Sequence, residues 1–90
     1  MQTPNDHLRV LLLERAHEVG LSDSAIARAH NRAYKDSTLA PSTIQRFRES
    51  DPAPGTPPSQ LMQEAYAAVL QTSIVALWRE AIQRWEAEVS

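Results

Sequence analysis

The chain has 90 residues, 42 % of them hydrophobic, with six prolines, two glycines and no cysteine. The missing cysteines exclude disulfides and thiolate metal sites, and no apolar run approaches the length that crosses a membrane. The formal net charge of −2 argues against a uniformly basic nucleic-acid binder, so the distribution of charge matters more than its sum.

Long stretches rich in Ala, Leu, Gln, Glu and Arg between the prolines, with almost no strand-like alternation, predict an all-α fold. Asn5 or Asp6 is expected to cap a first helix running to about Val19, with Pro4 just before it. Leu8, Leu11, Leu12, Ala16 and Val19 form its apolar stripe. Gly20 supplies the left-handed stop. Ser22 is a good N-cap for a second helix to about Asn31, with Ile26 and Ala29 facing inward and Ala27 small enough for close approach of another helix. In Arg32–Leu39, Tyr34 and Leu39 are candidates for burial, and Asp36, Ser37 and Thr38 are turn residues. Pro41 suits the first turn of a third helix, ending near Ser50. On it Ile44 and Phe47 share one face and anchor the helix, while Ser42, Thr43, Gln45 and Arg46 are expected to point outward. Residues 51–59, DPAPGTPPS, are a semi-rigid connector. Ser59 caps a fourth helix with Leu61, Met62, Ala65, Tyr66, Val69 and Leu70 at helical spacing. After a pause at Gln71–Ser73, where a new cap is expected, a last helix carries Ile74, Leu77, Trp78, Ala81, Ile82, Trp85 and Val89.

Charge is unevenly spread. Residues 28–48 hold Arg28, Arg32, Lys35, Arg46 and Arg48 against Asp36, a local +4, whereas residues 51–90 hold five acids against Arg79 and Arg84, a local −3. The three histidines have no ligand spacing: His7 and His17 lie ten apart on one helix and His30 is on another, which reads as surface or boundary histidines. There is no Gly-rich phosphate loop and no nucleophile elbow. Glu14, His17 and Glu18 lie close together on helix one without any sign of a pocket, so a non-enzyme without cofactor, metal or small-molecule ligand is expected. The N-terminal MQTPNDHLRV lacks the pattern of a signal peptide, and the expected location is the cytoplasm.

Gly20-Leu21-Ser22, Ile26-Ala27-Arg28 and Pro41-Ser42-Thr43-Ile44-Gln45-Arg46-Phe47 resemble, in order and spacing, the lambda-repressor-like (XRE or Cro/C1 type) helix-turn-helix family. Thr56-Pro57-Pro58-Ser59 leading into Leu61–Leu70 looks like that family's fourth helix, and Gln71-Thr72-Ser73 like the start of its fifth. The resemblance covers roughly residues 8–78. It implies a five-helix bundle, here with an enlarged turn at Arg32–Thr38, with His30 in place of an apolar residue and Asn31 in place of the turn glycine. Asparagine, like the glycine it replaces, can take a left-handed conformation. The corresponding division is a DNA-binding domain at 1–73 and, at 74–90, a terminal helix serving both as core and as association face.

The resemblance implies a sequence-specific, repressor-like regulator that reads the major groove of double-stranded DNA with helix 41–50. Ser42 and Arg46 are then the base-edge readers, and Gln45 reads a base or reaches a phosphate. Thr43, Arg48 and Ser22 are positioning contacts to the backbone, with a salt bridge to Glu49 or Asp51 as the competing role for Arg48. Arg32 and Lys35 are expected to reach flanking phosphates from the enlarged turn, the alternative being a segment that merely extends the second helix by a turn with its charges solvated. Leu77, Trp78, Ala81, Ile82 and Trp85 are expected to form a homodimer interface. A second reading keeps the fold but makes it a protein-interaction module with a degenerate DNA face; Asp23, the cation-free connector and the negative total charge favour it.

Overall fold

Local signals set nearly every boundary in the computed structural model, which describes residues 2–90. All regular structure among these residues is helical: α1 (Pro4–Glu18), α2 (Asp23–Ala33), α3 (Pro41–Glu49), α4 (Gln60–Val69) and α5 (Ile74–Val89). Ser22, Ser59 and Ser73 cap α2, α4 and α5 as expected, each hydroxyl accepting from the amide three residues on. The start of α1 differs from expectation. Thr3, not Asn5 or Asp6, is the cap, and Pro4 lies inside the first turn, where its missing N–H costs nothing. Asp6 completes a capping box: Thr3 N–H donates to Asp6 Oδ2 at 2.8 Å and Asp6 N–H to Thr3 Oγ1 at 3.4 Å.

Helix α1 ends with Gly20 at φ +68°. The Gly20 amide donates to the His17 carbonyl and the Leu21 amide to that of Ala16, the paired bonds of a Schellman turn. That turn puts Val19 at the cap with 62 % exposure instead of in the apolar stripe. Helix α4 ends the same way without a glycine, with Gln71 at φ 55°.

Packing makes two helical layers share one core. α1 lies along α5, while α2 packs on both α3 and α4, and α4 also touches α5. Leu8, Leu11 and Leu12 of α1, Ile26 of α2, Leu39, Ile44 of α3, Met62 and Tyr66 of α4, and Leu77 of α5 join a continuous buried cluster. The Phe47 and Tyr66 rings meet edge to face at 5.7 Å. Burial pushes the Tyr66 hydroxyl up to about 12.

Polar links fasten the pieces. Arg15 pairs with Glu80 and Arg84 with Glu14, and the Glu88 carboxylate lies 2.7 Å from His7 Nε2, so two ion pairs and this close contact run along the α1–α5 seam. Glu80, Arg84 and Glu88 of the acidic tail are thus used inside the fold. Buried Gln63 accepts from Trp78 Nε1–H at 2.9 Å and donates to the Pro58 carbonyl at 2.8 Å, tying α5 to α4 and the connector. The connector is held at its glycine: Asn5 donates to the Gly55 carbonyl and the Gly55 amide to Asp6. The Thr3 and Gly55 amides hold the Asp6 carboxyl below the usual carboxylate range. Among the described residues no helix is long and apolar enough to cross a membrane.

Candidate nucleic-acid interface

The segment between α2 and α3 departs most from the sequence reading. Helix α2 continues past Asn31 to Ala33, and no residue from 31 to 40 has positive φ. Asn31 therefore does not act as a left-handed turn residue. Its side chain instead clamps the far end of the loop: Nδ2–H donates to the Leu39 carbonyl at 3.1 Å and Oδ1 accepts from the Leu39 amide at 2.8 Å. The carboxamide imitates a strand neighbour, satisfying both backbone groups of a residue that is itself 3 % exposed. Leu39 plugs the core, and Ala40 leads in an extended conformation into Pro41.

His30 is completely buried, not a surface or boundary residue, because it sits on the inward face of α2 beside Ala27 and Ala29. Glu64 of α4 faces it at 3.9 Å, and the Tyr34 ring stacks on it at 4.9 Å. Tyr34 itself stays 41 % exposed, so it lids the histidine rather than entering the core. Helix extension, the Asn31 clamp and this stack together fix where α3 begins.

Helix α3 is anchored by fully buried Ile44 and half-buried Phe47. Its last carbonyls are covered from α1: the Arg9 guanidinium donates to the carbonyls of Phe47 and Ser50 and lies 5.5 Å from the Phe47 ring centroid. A cation at a helix C-terminus is favourable. Arg9 had no signal in the sequence, because its partners lie 38 and 41 residues away. With α3 so placed, Ser42, Gln45 and Arg46 are exposed on one side of it. Glu49 shares that side and accepts from Gln45 Nε2–H at 3.3 Å. The N-terminus of α3 carries no side-chain cap, so its dipole end is open to an anion.

The other expected site residues are divided. Thr43 is half-buried and, with Arg9, Phe47 and Leu61, lines a cavity of about 280 Å³ beside the connector, so it flanks the outward face instead of lying on it. The Ser22 hydroxyl oxygen is used as the α2 cap, leaving its O–H to donate. Arg48 forms a forked pair with Asp23, Nε–H to Oδ1 at 3.3 Å and Nη2–H to Oδ2 at 3.0 Å; neither Glu49 nor Asp51 is its partner. That fork bridges α3 to the start of α2 and cancels the Asp23 charge. Arg32 lies in the last turn of the extended α2 instead of in the turn, Lys35 lies in the loop, and both are exposed. Leu77 and Ala81, expected in a dimer interface, are instead 4 % and 0 % exposed, because the face of α5 that carries them is the one laid on α1. Trp78 and Trp85 are half-buried and Ile82 is exposed.

Ion pairing sorts the cations. Among the described residues Arg9 is used on backbone carbonyls, and Arg15, Arg48 and Arg84 are paired with carboxylates. Arg28, Arg32, Lys35, Arg46 and Arg79 make no ion pair. Four of those five lie in α2, the loop and α3, where Asp36 is the one carboxylate left over apart from Glu49. No group of three or more metal-ligating side chains occurs among the described residues. No protein-family model, no curated protein and no solved structure matches the chain.

Proposed function

We propose that the protein is a sequence-specific double-stranded DNA-binding regulator of the lambda-repressor-like type, with α3 entering the major groove. The observation that carries this reading is the concentration of unpaired cations: Arg28, Arg32, Lys35 and Arg46 lie on the segment from α2 to α3, and α3 presents Ser42 and Gln45 to solvent. Phosphate attraction needs cations that are not already satisfied, and base reading needs short polar groups on a rigid helix. Arg46 is the base-edge reader, because its fork matches the two acceptors of guanine; Gln45 supports it, and Arg32 and Lys35 supply phosphate contacts beside the groove. Arg48 works indirectly, by holding the α2–α3 crossing through Asp23. The reading requires no catalytic group and no cofactor.

The decisive experiment is selection from random duplexes at low salt, followed by fluorescence anisotropy on the selected site and on random duplex. Arg46→Ala should weaken the selected site by about 5- to 150-fold, the equivalent of 1–3 kcal/mol of lost discrimination, and random duplex far less. Equal losses on both DNAs demote Arg46 to a phosphate contact. The second reading, a protein-interaction module, draws on the cation-free connector and the exposed apolar residues of α5. It becomes the better one if the wild type enriches no sequence and binds no duplex at low salt.

A further inference from the structure

Helix α5 carries two apolar stripes: one is packed inside the molecule, and the other is engaged there only in part, through Trp78, which packs against the core and donates to Gln63. Ile74, Leu77 and Ala81, continued by Arg84 and Glu88, face α1, where they are packed in the core, ion-paired or, for Glu88, in contact with His7. The second stripe is Val75, Trp78, Ile82, Trp85 and Val89, at spacings of three, four, three and four, the a/d pattern of a coiled-coil seam. Val75 is 65 %, Ile82 39 % and Val89 45 % exposed. Beside Trp78 and Ile82 runs a shallow groove of about 500 Å³, bordered by Arg79 and Glu86. These two charges lie seven residues apart, both directly follow a d position, and neither has an ion-pair partner among the described residues.

We infer that this outer stripe pairs with the same stripe of a second copy, with the two α5 helices antiparallel about a two-fold axis. The charges decide the direction. In an antiparallel seam one e position flanks another, so Arg79 of each copy lies beside Glu86 of the other and two reciprocal ion pairs close the contact. Ile82 then faces Trp85 of the other copy, and Trp78 faces Val89. A parallel seam would instead set these e positions against Ile74 and Ala81, which are apolar and turned toward α1, leaving both charges unpaired. The two-fold makes the patch self-complementary, as a closed dimer requires. Because α5 is already held on α1 by core packing and two ion pairs, association does not have to form the helix and needs only to cover an ordered face. Leu77 and Ala81 have no part in this seam.

The full chain tests this in the absence of DNA, by sedimentation equilibrium. The wild type should dimerise, and Ile82→Asp should be monomeric with unchanged helical circular dichroism. Arg79→Glu and Glu86→Arg should each raise the dimer dissociation constant at least about tenfold, since each sets like charges together twice. The two combined should return it to within about threefold of the wild type, because the pairs are restored with reversed sign. Direction is read from Val75→Cys, which in the otherwise cysteine-free chain should form no intermolecular disulfide, whereas a parallel seam would link it. A wild type that stays monomeric up to about 0.5 mM, a double variant no tighter than the single ones, or a disulfide at position 75 overturns the inference. Because DNA is absent, such a failure leaves the groove-reading proposal standing.

Discussion

The Asn31 clamp offers the sharpest test of how the loop holds α3. Asn31→Ala removes two hydrogen bonds to Leu39 and leaves that residue's amide and carbonyl without partners in a setting where the residue is 3 % exposed. Two such bonds contribute about 1 kcal/mol each, and an unsatisfied buried amide costs about 1–3 kcal/mol more. Alanine returns about 0.5 kcal/mol of helix propensity. The net loss is therefore about 2.5–4.5 kcal/mol, which for a domain of this size lowers Tm by roughly 10–35 °C. Thermal unfolding followed by circular dichroism reads it. Thr38→Ala, at an exposed position of the same loop, is the control and should stay within about 0.5 kcal/mol of the wild type. A fall of less than about 4 °C for Asn31→Ala would mean that burial of Leu39 alone orders the loop, and the clamp argument would be wrong.

Two further outcomes follow from charge and proton binding. The double change Arg32→Ala plus Lys35→Ala should lower affinity for all duplexes alike and flatten the plot of log affinity against log salt by roughly 1.8, about 0.9 for each phosphate no longer neutralised; an unchanged slope with intact circular dichroism refutes the part of these two cations in binding. Tyr66, raised from 10.0 to about 12 in the fold, keeps its proton over a range where the unfolded chain has released it. Its contribution is therefore complete below pH 10 and is lost as pH rises toward 12, a fall of about 2–3 kcal/mol. Urea titrations across that range should show the decline in the wild type and a shallower one in Tyr66→Phe; parallel curves would reject the assignment.

Much of the architecture needed no tertiary information. Gly20, Ser22, Pro41, Ser59 and Ser73 mark helix ends because capping and left-handed stops are properties of a few adjacent residues. The 3.6-residue recurrence of Leu8, Leu11, Leu12, Ile44, Met62 and Tyr66 identified core positions for the same local reason. The exposed placement of Ser42, Gln45 and Arg46 followed once Ile44 and Phe47 were recognised as the inner face of α3.

What only the packed molecule decided involves partners far apart in the chain or two helix faces of similar character. The apolar residues of α5 cover so wide an arc that no periodicity separates the face laid on α1 from the one left open. Periodicity therefore groups Leu77 and Ala81 with Trp78, Ile82 and Trp85, and only the position of α1 separates them. Local charge sums cannot distinguish a free cation from a neutralised one. Arg48 finds Asp23 25 residues away, and Arg15 finds Glu80 65 residues away. Asn31 looked like a turn residue because its backbone preference is local, whereas its bond to Leu39 exists only after the loop has closed. Long-range electrostatics and hydrogen bonding depend on three-dimensional proximity, and so the folded chain alone determines which charges remain available for another molecule.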